Sequence, residues 1–308
     1  MITILVTGSE GSLGPFLVEK IYQTFRSVCV IRVGRSRKLP PDGRSIYYWG
    51  DLSDLQFIQQ IFSENKISYV IHCAARWNGF NQDTGILHNN VFSTLNLLLS
   101  ISPEVKKFIY LSSAGVYQDG APLESTALTC PSSSYCVSKL LGEKLVEQFS
   151  VIKGFPYTIY RPFHIVSPTE LFSRGRSHVC TDMCYRIIEC KETIDYGNLD
   201  DSRKIGFTWV EDVADAIIDN IENKKTDNEI FNIGTSEKHT VKDLVYEILS
   251  EATKHRLVNV QSKSLVRPVA DDTGGLDPCF SKISESCGWH AQTLFPECVK
   301  KFIECKYL

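Results

Sequence analysis

Short apolar runs alternate with amphipathic stretches through the first half of the chain. The apolar runs are rich in β-branched and aromatic residues, which predicts six strands: Ile2–Thr7, Val28–Val33, Ser45–Tyr48, Tyr69–Cys73, Lys107–Leu111 and Tyr157–Tyr160. The stretches between them repeat apolar residues at helical spacing, which predicts four helices: Phe16–Phe25, Leu55–Phe62, Asn90–Ser100 and Tyr135–Phe149. Strands that are apolar throughout and separated by helices indicate an α/β fold with a doubly wound parallel sheet that is covered on both faces.

The rhythm of the pattern changes after residue 161. Residues 162–201 are irregular, and three further elements follow: a helix at Val210–Glu222, a strand at Glu229–Ile233 and a helix at Val241–Thr253. The length of 308 residues fits about two domains at roughly 150 residues each. We therefore expect a first domain at residues 1–161. A smaller α/β subdomain, mainly substrate-binding, is expected at 162–308, with residues 207–234 or so returning to the first domain.

Composition and charge exclude several classes of protein. Hydrophobic residues make up 43% of the chain and charged residues 22%, which excludes a disordered or collagen-like chain. The 33 basic and 36 acidic residues give a net charge of −3, so bulk nucleic-acid binding is not expected. No apolar run approaches the ~20 residues that span a bilayer. The first residues lack a basic signal-peptide start and predict a strand, so we expect no membrane association and a cytoplasmic location.

Cysteine is abundant, but its spacing does not favour a metal site or a disulfide framework. The 11 cysteines are odd in number, and no Cys-x-x-Cys pair occurs. The tightest group is Cys180, Cys184 and Cys190, with His178 nearby, and its spacing does not match the usual four-ligand zinc patterns. We expect no metal and interpret the cysteines as reduced, mostly buried thiols.

A glycine-rich segment follows the first predicted strand directly. Gly8, Gly11 and Gly14 are spaced to allow a tight turn, a close backbone approach to a pyrophosphate and close packing of a helix on a strand. The next helix then directs its N-terminal N–H groups at the phosphates, and Pro15 suits its first turn. The position between a strand and a helix is typical of a Rossmann-type dinucleotide-binding fold, the alternative being an ordinary glycine-rich turn.

The end of the second strand is where such folds distinguish the two nicotinamide dinucleotides. An acidic residue about 20 positions after the glycines binds the ribose hydroxyls of NAD, whereas arginine accepts the 2′-phosphate of NADP. Here Arg32 or Arg35 falls near the ribose, and residues 30–37 contain no acid. This favours NADP(H), with NAD(H) possible, because Glu10 in the glycine segment is unfavourable to an additional phosphate. The alternative is that both arginines are surface residues.

A second group of polar residues lies at the end of the fifth strand and on the helix that follows. Ser112 and Ser113 end the strand, and Tyr135 and Lys139 are four residues apart on one helix face. A lysine ammonium beside a phenol is expected to lower the tyrosine pKa toward the range for proton transfer. The serine hydroxyl could hold the reacting oxygen.

With these motifs the chain resembles the extended short-chain dehydrogenase/reductases, the NAD(P)-dependent epimerase/dehydratase group that acts on nucleotide sugars. The resemblance runs almost end to end, from Gly8–Gly14 through Tyr160–Phe163 and Phe207–Ala214 to Cys287–Trp289. It implies that Ser113, Tyr135 and Lys139 are catalytic. The cofactor-binding residues that the motifs imply are Gly8, Gly11, Ser12, Leu13, Gly14, Arg32, Arg35, Ser36, Asp51, Leu52, Cys73, Ala74, Ala75, Asn90, Ser112, Tyr135 and Lys139.

The resemblance further implies a substrate and an assembly. It favours an NADPH-dependent reductase of a nucleotide-activated 4-keto-6-deoxy sugar, with an NAD-dependent nucleotide-sugar epimerase as the alternative. A dehydratase is disfavoured because Ala114 and Gly115 replace the acidic pair of that subgroup, and a non-catalytic nucleotide-sensing module is the remaining reading. The implied contacts to a nucleotide-diphosphate sugar are Ser113, His164, Arg203 and Arg267. Family members commonly form homodimers through the helices expected here at 90–100 and 135–149.

Overall fold

The computed structural model describes residues 1–35, 42–77, 82–117, 124, 133–173, 177–189, 204–258 and 277–308. Its centre is a seven-stranded sheet in the order β10-β6-β5-β4-β1-β2-β3, in which neighbouring strands are parallel. The strands are β1 (Ile2–Thr7), β2 (Val28–Gly34), β3 (Ser45–Trp49), β4 (Tyr69–His72), β5 (Lys107–Leu111), β6 (Tyr157–Pro162) and β10 (Glu229–Ile233). The predicted doubly wound parallel sheet is confirmed.

Helices and short strands complete the part of the chain that the structure describes. The helices are α1 (Gly14–Thr24), α2 (Leu55–Glu64), α3 (Thr84–Ser100), α4 (Ser134–Lys153), α5 (Val179–Cys184), α6 (Val210–Ile218), α7 (Val241–Lys254), α8 (Ser281–Cys287) and α9 (Phe295–Tyr307). Two pairs of short strands lie outside the main sheet: β7 (Ile165–Val166) with β9 (Thr208–Trp209), and β8 (Lys204–Ile205) with β11 (His239–Thr240). None of the described helices is both long and apolar enough to cross a bilayer.

Both faces of the sheet are covered by apolar side chains, as the continuous apolar strands require. Successive residues of a strand face opposite sides, and β1 shows this clearly. Ile4 and Val6 belong to the apolar cluster that includes residues of α1, α6, α7 and α9, whereas Leu5 belongs to the cluster with residues of α2, α3 and α4. Two cores therefore hold the sheet between two helical layers.

The bounds of α3 differ from the predicted helix at Asn90–Ser100. The helix begins at Thr84, because the Asp83 side chain accepts hydrogen bonds from the N–H groups of Gly85 and Ile86. The sequence Asp-Thr-Gly is also typical of a turn, which is why the first two turns of this helix do not stand out in the hydrophobic pattern.

The helices α3 and α4 pack against each other and also keep apolar residues at the surface. Leu98 is fully buried, whereas Leu99 and Leu141 are 45% and 43% exposed. Part of the apolar surface expected at a subunit contact is therefore used inside the chain. The homodimer stays a prediction.

Candidate active site

A cavity of about 810 Å³ lies at the carboxyl ends of the central strands. Its lining includes Gly8 after β1, Gly34 at the end of β2, Cys73 after β4 and Ser112 after β5. Open α/β sheets bind their ligands at this edge, where strand ends and helix N-termini meet. The glycine loop and the predicted catalytic residues therefore share one cavity.

The loop between β1 and α1 is packed so closely that its glycines cannot carry side chains. Gly8 has φ +68°, and its N–H donates to the Val33 carbonyl at 3.0 Å. A Cβ on Gly8 would lie 2.7 Å from Cα of Ala74, and a Cβ on Gly14 would overlap the Gly8 carbonyl oxygen. The loop residues that line the cavity are Gly8, Glu10, Gly11, Ser12 and Leu13. This cradle of backbone at the start of α1 fits a dinucleotide pyrophosphate.

Arg32 does not take the position that was predicted for it. The side chain is 7% exposed and is absent from the described lining of the cavity. Its guanidinium donates to the Ser9 carbonyl at 3.2 Å and to the Tyr47 hydroxyl at 3.0 Å, and it forms an ion pair with Asp42 at 3.1 Å. Arg32 therefore supports the backbone of the glycine loop, and this arrangement argues against the predicted contact with the ribose phosphate.

Arg35 and Asp51 lie at the end of the cavity next to β2 and β3. Arg35 is exposed and lines the cavity together with Asp51 and Leu52. Burial alone would raise the pKa of Asp51, but hydrogen bonds from Ser53 and the charge of Arg35 lower it. The predicted contact Ser36 lies outside the described residues.

The segment after β4 forms the floor of the cavity. The residues of this segment that were predicted to bind the cofactor and that line the cavity are Cys73, Ala74 and Ala75. Asn90 is buried instead: its side chain accepts from the Arg76 N–H at 2.7 Å and donates to the Ser138 hydroxyl at 3.0 Å. Asn90 is not part of the described lining of the cavity. Its hydrogen bonds tie this segment to α4, which argues against a cofactor contact by its side chain.

The three predicted catalytic residues come together at the centre of the cavity. Ser113 follows β5, and Tyr135 and Lys139 lie one turn apart on α4. The Lys139 ammonium lies 5.7 Å from the centre of the Tyr135 ring and donates to the Leu111 carbonyl at 2.5 Å. The resulting arrangement holds a phenol, a hydroxyl and an amine against the same space, which is suited to proton transfer at a carbonyl or alcohol.

The electrostatics of this group differ from the expectation that Lys139 lowers the tyrosine pKa. Desolvation raises the pKa of Tyr135, and a hydrogen bond with Ser113 acts in the opposite direction. Burial lowers the pKa of Lys139 to about 8, although the charge of Glu143 raises it. Desolvation is therefore the dominant effect on both groups, because each is removed from water.

The predicted substrate contacts are described only in part. His164 follows β6, lines the cavity and has φ +44°, a left-handed conformation that is uncommon for residues other than glycine. Such backbone strain is frequent where a side chain must be held toward a ligand. The other two predicted contacts, Arg203 and Arg267, lie outside the described residues.

The sequence and the fold both identify the family. Residues 4–234 match the NAD dependent epimerase/dehydratase family. The chain belongs to this family. It is 28% identical over 275 residues to UDP-glucose 4-epimerase of Lactobacillus helveticus, covering 82% of this chain and 81% of that protein.

Solved structures agree with this assignment. The structure of Thermotoga maritima UDP-glucose 4-epimerase with UDP-glucose has a TM-score of 0.83 and 25% identity, with 98% of each chain covered. The structure of Thermus thermophilus UDP-glucose 4-epimerase with NAD has a TM-score of 0.80 and 21% identity, also with 98% of each chain covered, and it shows the shared fold. The predicted membership of the extended short-chain dehydrogenase/reductases is confirmed, and the protein is an enzyme of that type.

This member of the epimerase/dehydratase family also contains an aromatic and acidic group that the sequence did not reveal. The Trp77 ring meets the Tyr135 ring edge-on at 4.7 Å and stacks with the His178 ring at 6.1 Å. His178 in turn contacts Glu170, with 2.7 Å between Nδ1 and Oε1. All four residues line the cavity. They come from three separate segments, so no local pattern could have brought them together.

A buried ion pair between β6 and α4 was also missed. Arg161 of β6 donates to both oxygens of Glu143 on α4, at 2.9 and 2.7 Å, and the two side chains are 1% and 0% exposed. The Ser112 hydroxyl donates to the same carboxylate, and the Tyr117 hydroxyl lies 2.7 Å from Arg161. The position of Glu143 four residues after Lys139, on the same helix face, was a signal that could have suggested it.

Proposed function

We propose that the protein is an NAD-dependent 4-epimerase of a nucleotide-diphosphate sugar. The observation that carries the proposal is the convergence of Ser113, Tyr135 and Lys139 on one cavity that the glycine loop also lines. UDP-glucose 4-epimerases are among the relatives that match over most of the chain, which supports epimerisation over the net reduction expected from Arg32. Burial of Arg32 removes one of the two arguments for NADPH.

In this proposal the residues of the chain hold the sugar and move one proton. Tyr135 takes the proton from the C4 hydroxyl as this carbon is oxidised, and returns it when the keto group is reduced. Ser113 donates to the same oxygen, and Lys139 holds the nicotinamide ribose. NAD, when bound, supplies both the acceptor and the donor of the hydride. The keto sugar must expose both of its faces in turn within the cavity.

A second candidate is the NADPH-dependent reductase. It is favoured by Arg35, because an exposed guanidinium at the cavity edge is a good partner for a 2′-phosphate. A dehydratase is not favoured, because Ala114 and Gly115 begin a short 3₁₀ helix after Ser113 and offer no acid for elimination of water.

The deciding experiment uses UDP-glucose with deuterium at C4. An epimerase given NAD should form the C4 epimer with the deuterium retained, because the hydride that leaves C4 returns to it. NMR spectroscopy of the sugar measures both the new stereochemistry and the label. A reductase would instead consume NADPH in proportion to a keto-sugar substrate and would form no epimer from UDP-glucose, and that result would overturn the proposal.

A further inference from the structure

The end of β2 lacks the side chain that usually contacts the adenosine ribose. Gly34 ends the strand and lies 20 residues after Gly14, the spacing at which an acid binds the ribose hydroxyls. A Cβ built on Gly34 would lie 3.0 Å from Oε2 of Glu10. The carboxylate of Glu10 thus occupies the space that a side chain at position 34 would fill. Both residues line the cavity.

The backbone around Glu10 is supported on both sides. The residue before it, Ser9, accepts a hydrogen bond from the buried Arg32 guanidinium. The residue after it, Gly11, donates its N–H to the Gly8 carbonyl at 2.9 Å. Because Arg32 is itself paired with Asp42, this part of the loop is connected to β2 and to the start of β3. The backbone from which the Glu10 side chain extends is therefore held by the fold of the loop.

We propose that Glu10 binds the adenosine ribose hydroxyls of the cofactor and thereby selects NAD over NADP. A carboxylate accepts hydrogen bonds from both hydroxyls of an unmodified ribose, whereas it repels the dianionic 2′-phosphate. The acid is supplied by the glycine loop and not by β2, and Gly34 leaves room for it. This inference rests on the proposed function, since it concerns the cofactor of the same site.

Arg35 acts against this selection without cancelling it. Its side chain is exposed and lies close enough to Asp51 to lower the pKa of that carboxyl group. An exposed arginine shared with a carboxylate contributes little net attraction, because water and the nearby charge screen it. The Glu10 side chain is partly buried, and its carboxylate lies next to Gly34, so water screens its repulsion of the 2′-phosphate less than it screens the exposed Arg35.

The test compares the binding of NADH and NADPH to the wild-type protein and to Glu10→Gln by titration calorimetry. Glutamine keeps the size of the side chain and removes its charge. NADH affinity should fall about tenfold and NADPH affinity should rise about three- to tenfold, because one charge-assisted hydrogen bond and one repulsion are lost. Glu19→Gln on α1 is the matched control, since Glu19 is exposed and its contacts with Arg44 and Gln23 lie at the surface, away from the cavity lining. It should leave both affinities unchanged.

The outcomes separate this inference from the proposed function. Equal changes in NADH and NADPH affinity, no change in either, or a wild-type protein that prefers NADPH would each overturn the role of Glu10. Glu10→Asp should keep a preference for NADH, because the charge remains near the ribose. A wild-type protein that binds neither dinucleotide would overturn the proposed function itself. The melting temperature of each ligand-free variant shows whether the loop has kept its fold.

Discussion

The part of the cavity proposed to hold the cofactor, here called the cofactor half, is lined by Gly8, residues 10–13, Gly34 and Asp51, which lie at or near strand ends. The part proposed to hold the sugar, here called the substrate half, is lined by Trp77, His164 and His178, which come from separate loops. Backbone packed as tightly as the glycine loop tolerates almost no substitution. Side chains on loops can be exchanged while the sheet stays intact. The contrast explains how one family can keep its cofactor chemistry and change its sugar.

The largest expected effect concerns the residue between the two halves. Tyr135→Phe should lower kcat for epimerisation by about 10²–10⁴-fold, because it removes the proton donor and acceptor. NADH affinity, measured by calorimetry, should stay within about twofold. Tyr246→Phe, at an exposed position on α7, is the control and should keep full activity. Near-normal turnover by Tyr135→Phe would refute the assigned mechanism.

The rigidity of the cofactor half can be tested with two glycines of similar conformation. Gly8 and Gly154 have φ +68° and +74°, but a Cβ would meet Ala74 only at Gly8 and would meet nothing within 4 Å at Gly154. Gly154→Ala should cost about 1–2 kcal/mol of unfolding free energy and leave NADH binding unchanged. Gly8→Ala should weaken NADH binding by about tenfold or more, as expected for displaced phosphate-binding N–H groups. Equal NADH affinities in the two variants would contradict the conclusion that close packing at Gly8 is needed for cofactor binding.

A smaller effect is expected in the substrate half. Trp77→Ala should raise the KM for the nucleotide sugar by about tenfold, since a ring in contact with Tyr135 is lost. Trp77→Phe should retain part of that contact, so its KM should lie between those of the wild type and Trp77→Ala. NADH affinity should not change in either variant. Loss of NADH binding in Trp77→Ala would show that the two halves are not separable as described.

The last prediction concerns stability instead of catalysis, and it is a pH dependence that comes from Lys139. Burial lowers its pKa from 10.5 to about 8. Between these two values the unfolded chain holds a proton that the folded chain lacks, so stability should rise with pH across this window. Urea unfolding of the wild-type protein and of Lys139→Met at pH 7, 8, 9 and 10 measures the difference. The wild type should gain stability relative to the variant above pH 8, and a constant difference would argue against the lowered pKa.

Hydrophobic periodicity was sufficient to predict the sheet, and glycine spacing was sufficient to predict the loop of the cofactor half. The ends of β1, β5 and β10 agree with the predicted residues, because buried parallel strands are apolar throughout. Glycine spacing located the loop, because its packing excludes side chains. These features depend on contacts between residues that are close in sequence or on the regular geometry of the fold.

Residue pairs that are distant in sequence could not be predicted in the same way. Arg32 was expected at the ribose because nothing in its own strand indicates that Asp42 and the Ser9 carbonyl would bind it first. The contact between Trp77 and His178 depends on how two loops meet above α4. Desolvation of Tyr135 likewise depends on the depth of the cavity. The four-residue spacing between Tyr135 and Lys139 gives no information about that depth.

The Arg161–Glu143 ion pair has a consequence for protein engineering. It joins β6 to the catalytic helix just before the chain enters the loop that carries His164. A designer can therefore graft different loops beyond residue 163 and still expect the catalytic tyrosine to remain where it is. Removing one member of the pair would leave a buried charge at a cost of about 3–5 kcal/mol, so both must be kept or replaced together. The pair thus marks the boundary between a scaffold that should be conserved in any redesign and a segment that is open to change.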